Sequence, residues 1–412
     1  MSEKICVVGL GYVGLPLSLI LGSKFECIGF DVDACRVQNL KNGIDENGEH
    51  SSSEIFASNV QFYSALDEVQ ECSMYIVTVP TPVNSENIPD LSALKEACDG
   101  IGKIIKKENI IVFESTVFPG CTEDFCGPLL ASQSNLIQSQ DFYLGYSPER
   151  INPGDKVNSI KSITKVVAGD NAQTLDRIAS VYGAVIDAGL HEASSIRIAE
   201  AAKLTENIQR DVNIALMNEL SSVFHAMGIR TSEVLQAANT KWNFIPFRPG
   251  IVGGHCVGVD PYYLIESAKK QEIDTKLVTT ARMVNESVVK RIFNYFTENV
   301  PQVHGRSLVM GLTFKEDCKD TRNSKALELA NKLADITTVH AIEPNLETVE
   351  GANFELVESF CHAPYDCIIL AVNHRQFANL PGSSLKTMVG NDGYIFDLQD
   401  SLKLDPDKSF YL

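Results

Sequence analysis

The sequence predicts an α/β protein: a parallel-sheet unit, an all-helical middle, and a second, smaller α/β unit. Three observations carry this. In the first half, short apolar runs alternate with amphipathic segments, the pattern of βαβ units. From Ser194 to Met227 there is neither proline nor glycine, and apolar residues recur at helical spacing. From Ser307 the strand-helix alternation resumes. At roughly 100–200 residues per domain, a chain of 412 residues makes two or three domains.

The elements follow in order. Ile5–Val8, Cys27–Phe30, Tyr75–Val79, Ile110–Phe113, Phe142–Gly145 and Lys165–Ala168 read as strands, with amphipathic segments such as Leu91–Lys106 between them. Ile208, Val212, Ala215, Leu216, Leu220 and Val223 mark a helix of about thirty residues, long for a globular protein. A second helical region, about Pro261 to Thr297, follows the loop Thr240–Val259. Ser307–Leu312, Thr338–Ile342, Cys367–Val372 and Tyr394–Phe396 read as strands of the last unit, with a helix at Lys325–Ala334. There are no internal repeats and no low-complexity tracts.

Composition narrows the function. Acidic residues outnumber basic ones by 53 to 35, a formal net charge of −18. Such a surface repels phosphate backbones and anionic lipid, so neither nucleic acid nor a membrane surface is an expected partner. Eleven cysteines are scattered without a C-x-x-C pair, and the eight histidines are equally dispersed. No metal site is expected, and free thiols in a reducing, cytoplasmic setting are. The uncharged stretch Ile5–Gly22 contains four glycines and Pro16 and runs into another strand-like segment, so it reads as strand, turn and helix rather than a signal or anchor.

Gly9-Leu10-Gly11-Tyr12-Val13-Gly14 follows the first strand and opens a helix. Glycines there permit the turn, let backbone approach a pyrophosphate and let helix pack on strand, while the helix N-terminus supplies donors. The second strand ends at Asp31, twenty residues beyond Gly11, where a carboxylate can bind the adenine ribose hydroxyls and repel a 2′-phosphate. Thr78–Pro82 and Glu114–Gly120 each follow an apolar run, at strand ends where open parallel sheets bind ligands.

In the loop Val252–Pro261, paired glycines flank Cys256, and Asp260 follows four residues on. That context suits an accessible nucleophile rather than a buried thiol. The adjacent His255 suits a conformational or substrate-contact role. Lys203 and Asn207 lie four apart and share a helix face, suited either to solvent or to stabilising an oxyanion in a cleft. Lys315 and Arg322 read as surface charges or phosphate ligands.

GLGYVGLP at Gly9–Pro16, PTP at Pro80–Pro82, STVFPG at Ser115–Gly120, SPER at Ser147–Arg150, Lys203 with Asn207, GGHC at Gly253–Cys256 with Asp260, and GLTFKED…DTRNS at Gly311–Ser324 stand in one order on one chain. In these motifs the sequence resembles the UDP-glucose/GDP-mannose dehydrogenase family, the nucleotide-sugar 6-dehydrogenases, over essentially its whole length. The resemblance implies two Rossmann-like parallel-sheet domains joined by a long helix and a central all-helical dimerisation domain. The expected divisions are an NAD-binding domain at 1–193, a dimerisation domain with the cysteine loop at 194–300, and a UDP-sugar-binding domain at 301–412.

It further implies oxidation of a sugar CH2OH to a carboxylate with two NAD in succession. Cys256 would attack the intermediate aldehyde, Lys203 and Asn207 would stabilise oxyanions, Thr116 and Asp260 would hold or activate water, and Glu149 would be the base in thioester hydrolysis. Gly9, Gly11, Tyr12, Val13, Gly14, Asp31, Arg36, Thr81, Thr116 and Arg322 would bind NAD. Glu149, Arg150, Ile151, Asn152, Lys203, Asn207, Arg248, Gly253 and Lys315 would bind the substrate. The loop holding Arg248 would lie near the interface of a homodimer. UDP-glucose dehydrogenases carry a second glutamate four residues after the first, where Pro153 stands here. ERINPGD and GGHC instead resemble the branch acting on UDP-N-acetylhexosamines, UDP-GlcNAc or UDP-GalNAc, in capsule or O-antigen synthesis. UDP-glucose or UDP-ManNAc oxidation, a two-electron hydroxyacid dehydrogenase, and an idle dinucleotide-binding regulator are the competing readings.

Replacing Asp31 by alanine is expected to weaken NAD binding by about 1.5–3 kcal/mol, the range for hydrogen bonds to a charged group. Comparing kcat/KM for NAD and NADP checks the role, since equal values in the unaltered protein refute it.

Overall fold

The computed structural model describes residues 3–151, 159–300, 304–359, 364–378, 380–402 and 409–412. The chain divides into two compact units, the first comprising Met1–Glu206 with Tyr262–Ile273 and the second Asn207–Pro261 with Asp274–Leu412.

The first unit is organised by an eight-stranded sheet. Its strands are β1 Lys4–Val8, β2 Glu26–Phe30, β3 Gln61–Tyr63, β4 Met74–Val77, β5 Ile110–Phe113, β6 Tyr143–Tyr146, β7 Lys165–Gly169 and β8 Leu190–Glu192. Their spatial order is β3-β2-β1-β4-β5-β6-β7-β8, parallel except for the β6–β7 pair. All four residues of β4 and of β5 are buried, as helices covering both faces of a parallel sheet require. The order reverses between β1 and β4, which places the crevice beyond the ends of those strands.

Two glycines make that crevice. Gly9 lies at φ +92°, a conformation only glycine adopts cheaply. A Cβ on Gly14 would stand 1.8 Å from the Gly9 carbonyl oxygen and 2.4 Å from Thr78 Oγ1. Helix Gly14–Gly22 therefore starts against the sheet with no side chain between them. A Cβ on Gly11 would meet nothing within 4 Å.

The second unit has a six-stranded parallel sheet, β9 Arg306–Met310, β10 Thr338–Ile342, β11 Glu355–Leu356, β12 Tyr365–Leu370, β13 Val389–Asp397 and β14 Ser409–Phe410, in the order β11-β10-β9-β12-β13-β14. The winding repeats that of β1–β6, and so does a detail. Leu10 N donates to Asp31 Oδ2 at 2.7 Å, and Leu312 N donates to Glu343 Oε2 at 2.7 Å. Gly9 and Gly311 both precede the donor with positive φ. Asp31 is half-buried, whereas Glu343 is buried and also bonded to His374 Nε2 (3.0 Å) and to Asn345.

The long helix spans Ile196–Ala226, and the division between the units falls within it. The predicted region Pro261–Thr297 resolves into helices Asp260–Lys270 and Lys276–Asn299, interrupted where Glu272 takes φ +57°. A short helix at Thr231–Ala238 and the brief edge strands β3, β8, β11 and β14 are additions to the predicted elements. Only Phe62 is buried in β3 and neither residue of β11 is, so these strands are too short and too exposed to show periodicity.

The contrast between the two loop glycines is measurable. Gly14→Ala is expected to cost at least about 1–3 kcal/mol, the overpacking range. Gly11→Ala should leave stability within about 0.5 kcal/mol while weakening dinucleotide binding. Urea unfolding alongside NAD titration of each variant separates the two effects.

Candidate active site

The buried side of the long helix carries a polar row beside an apolar one. Glu200, Lys203, Asn207, Asp211, Asn218 and Ser221 are all buried, at the three- and four-residue spacing of one helix face. A buried polar group needs a partner, and these find theirs on loops and on neighbouring helices. In the first unit, Glu200 accepts Gly120 N at 2.5 Å and Thr122 N at 2.9 Å, and Lys203 Nζ donates to the Glu149 carbonyl at 2.8 Å. In the second, Asn207 Nδ2 donates to Asp260, Arg282 pairs with Asp211 at 2.5 Å, and Asn218 both donates to Gly250 O and accepts Gly250 N.

The cysteine loop belongs to the second unit. Cys256 is exposed, unlike every other described cysteine except Cys35. Asp260 N donates back to Cys256 O at 2.8 Å, closing the turn before helix Asp260–Lys270. On the other side the loop is clasped by the segment after β9. Asn323 Nδ2 donates to Gly254 O at 2.8 Å, and Gly254 N donates to Asn323 O. A Cβ on Gly253 would stand 2.5 Å from Asn323 O, and one on Gly254 2.6 Å from the Phe314 ring. The paired glycines are required by this close approach. His255 Nε2 lies 2.9 Å from Asp320 Oδ2, while Arg322 grips the same carboxylate through two nitrogens. Burial works to raise the Asp320 carboxyl, but the bonds from His255 and Arg322 outweigh it and hold it well below its usual range. The ionised Asp320 only accepts, so His255 Nε2 carries the hydrogen.

The remaining predicted residues fall as follows. Asp31 accepts the N–H groups of Leu10 and Asp33. Arg36 is buried, donating to Leu10 O and pairing with Asp45 at 2.8 Å, so it braces the glycine turn from within. Tyr12, Val13 and Thr116 are half-buried at strand ends of the first sheet, and the Thr81 carbonyl accepts from Tyr263 at 2.9 Å. Arg150 pairs through two nitrogens with Glu206, and Ile151 N donates to Glu149. Lys315 is half-buried with Nζ 5.7 Å from the Phe314 ring centroid, and Arg248 is exposed. Asn152 lies outside the described residues. Asp320, Asn323 and Glu200 escaped the sequence reading, as did the buried group Glu114, Lys165 and Tyr182. The signal available for the last was an acid closing the apolar run Ile110–Phe113 and a lysine opening another.

The first unit's crevice fits a dinucleotide: open space at Gly11, a glycine turn at the start of a helix, and a carboxylate at Asp31. Fold and site together give a dinucleotide crevice in one unit and an exposed cysteine on a clasped loop in the other. Comparison with known proteins gives the class. The NAD-binding, central and UDP-binding domain models of the UDP-glucose/GDP-mannose dehydrogenase family match residues 3–186, 197–287 and 308–404, and the chain belongs to that family. It is an NAD-dependent nucleotide-sugar 6-dehydrogenase. It is 44% identical to a UDP-N-acetyl-D-glucosamine 6-dehydrogenase of Pseudomonas aeruginosa over 98% of each chain. To the protein of that name in Salmonella typhi it is 41% identical over 96% of each. The solved UDP-D-ManNAc dehydrogenase of Pyrococcus horikoshii superposes with TM-score 0.87 at 26% identity, covering 99% of this chain and 98% of that one. Among the described residues no helix is long and apolar enough to cross a membrane.

Burial pushes the Glu200 carboxyl up to about 7, against the N–H bonds of Thr122 and Gly120. The folded state thus binds the proton more tightly than the unfolded one, whose ordinary value is 4.5. The stabilisation is complete below 4.5 and is lost as pH rises towards 7, by up to about 3 kcal/mol. Unfolding free energy measured against pH is expected to fall across that window, less steeply in Glu200→Gln.

Proposed function

We propose that this chain oxidises C6 of a UDP-N-acetylhexosamine, with UDP-GlcNAc ahead of UDP-GalNAc, from alcohol to carboxylate in two steps through a thioester on Cys256. The observation that carries the reading is the exposed cysteine on a glycine-clasped turn, beside a buried Asp260 bonded to Asn207. A two-electron alcohol oxidation has no need of such a sulfur. The acetamido sugar is supported by the names and identities of the Pseudomonas and Salmonella relatives, and by the histidine of GGHC.

Bound NAD, held by the glycine turn and Asp31, supplies the hydride acceptor for each oxidation. The protein's own residues do the rest. Lys203, buried on the long helix, stabilises the alkoxide from which hydride leaves. An aldehyde has no such alkoxide until a nucleophile adds. The Cys256 thiolate forms the C–S bond and puts the negative charge back on oxygen, where Lys203 and Asn207 meet it. Loss of the second hydride leaves a thioester. Water positioned by Thr116 and Asp260 then attacks, Glu149 takes its proton, and the C–S bond breaks to return the thiolate. Glu149, Arg150, Ile151, Asn152, Gly253, Lys315 and Arg248 contact the sugar nucleotide in this reading, and Tyr12, Val13, Thr81 and Arg322 the cofactor.

We further assign the working organisation as 1–193, 194–300 and 301–412, operating in the cytoplasm as a homodimer that makes uronate for polysaccharide synthesis. Apolar side chains left exposed on and near the long helix, Leu216 and Val223 (both 48% exposed) and Trp242 (92%), support a second copy as their cover. Arg248 stands in the same exposed loop as Trp242.

With a panel of nucleotide sugars, the unaltered enzyme is expected to yield two NADH per UDP-GlcNAc and a 6-carboxylate of matching mass. Cys256→Ala should fail to complete the reaction, and Lys203→Ala should slow both hydride steps by about 10²–10³. Normal steady-state uronate production by Cys256→Ala refutes the covalent route.

A further inference from the structure

The first unit buries a charged group that the chemistry above does not use. Lys165 opens β7 and is 3% exposed. Its Nζ lies 2.7 Å from Glu114 Oε2 and 3.4 Å from Glu149 Oε2. Glu114 is 1% exposed, directly follows β5, and accepts on its other oxygen from the hydroxyl of the fully buried Tyr182. An ammonium removed from water is unfavourable unless its partners are close and ionised, so a single lysine between two glutamates is a placed feature. Burial lowers the Lys165 ammonium, but Glu114 and Glu149 more than compensate and keep it protonated.

We propose that Lys165 is a positioning residue for the Glu149 carboxylate, acting with Glu114 as its counter-acid during thioester hydrolysis. The inference rests on the reading of Glu149 as the base. Glu149 spends Oε1 on the backbone N–H groups of Arg150 and Ile151. Lys165 fixes Oε2, so the whole carboxylate is held in one orientation. Among the described residues, two further cations lie at this point. Lys203 reaches the Glu149 carbonyl from the long helix, and the Arg150 guanidinium is taken by Glu206 and by Thr164 O.

Two acids share one buried cation, and burial pushes the Glu114 carboxyl above its ordinary value. The Lys165 ammonium, nearer to Glu114 (2.7 Å) than to Glu149 (3.4 Å), opposes that rise and makes Glu114 its closer counter-charge. When water adds to the thioester carbonyl, its O–H bond breaks and the proton passes to Glu149. The ammonium then faces a neutral acid, and an ionised Glu114 keeps it neutralised. No other reactant is needed.

The test compares Lys165→Met, Lys165→Arg, Glu149→Gln and the charge-balanced pair Glu114→Gln/Lys165→Met with UDP-N-acetylglucosamine and NAD. The double variant serves where Lys165→Met alone does not fold. Stopped-flow NADH formation reports the two hydride steps as a burst, and quenched product mass reports hydrolysis. In Lys165→Met and in the double variant, the burst should stay within about threefold while uronate release falls about 10–100-fold, as displaced catalytic groups do. The acid limb of kcat should rise by about one to two pH units, the effect of losing an adjacent opposite charge. Lys165→Arg should restore most of the rate and the limb. If Glu149→Gln hydrolyses its thioester at the normal rate, the base reading fails and this inference with it. If Glu149→Gln is slow but the Lys165 variants keep the normal limb and hydrolysis rate, this inference alone fails. Equal loss of burst and turnover makes Lys165 a structural residue only and also overturns it.

Discussion

The long helix buries a polar face, and the loops that carry the chemistry are ordered by having to satisfy it. An apolar stripe would pack against anything of suitable shape. A buried Glu200, Lys203, Asn207, Asp211 or Asn218 accepts only a matching donor or acceptor at hydrogen-bond distance. Glu200 thereby selects the backbone of Gly120 and Thr122, next to Thr116; Lys203 selects the Glu149 carbonyl; Asn207 selects Asp260, four residues past Cys256. Within the first unit, directional bonds from the helix thus hold the segments that carry Thr116 and Glu149, and within the second they hold Asp260.

The cysteine loop shows the complementary strategy, in which absence of side chains sets the geometry. Gly253 and Gly254 allow the Asn323 backbone and the Phe314 ring to come within contact distance, and the Asp320–His255 bond fixes the side chain next to Cys256. The same Asp320 orients Arg322. One carboxylate between β9 and helix Lys325–Ala334 therefore sets two side chains with different tasks, so its replacement would disturb more than one of them.

The long, strongly patterned parts of the fold were legible in the sequence. The helix Lys325–Ala334, the strand Thr338–Ile342 and the apolar runs of β1, β4 and β5 announce themselves by period and by flanking glycines. Gly9, Gly14 and Asp31 were legible because a turn, a close approach and a carboxylate at fixed offsets form one mechanism. The strand pair β10–β11, only two residues in register, carries no period to detect. Lys165 and Glu114 were hidden for another reason. They are 51 residues apart and meet only because β5 and β7 lie on either side of β6, a neighbourhood that topology creates and local pattern cannot show. For Arg36, expected from the resemblance as a cofactor ligand, the sequence carries no sign that its Nε and Nη2 donate to Leu10 O and that Nη2 pairs with Asp45.

The twin carboxylates at Asp31 and Glu343 bear on which of two like windings can hold a dinucleotide. Both take the N–H of the residue after a positive-φ glycine, but Glu343 is sealed by His374 and Asn345, whereas Asp31 is half-buried. A ribose diol needs a carboxylate with acceptor sites to spare. Among the described residues the first winding offers that carboxylate, while in the second the matching acid is already spent on its own neighbours. One topology thus serves two ends, and the difference comes down to whether a single acid is left open or closed off.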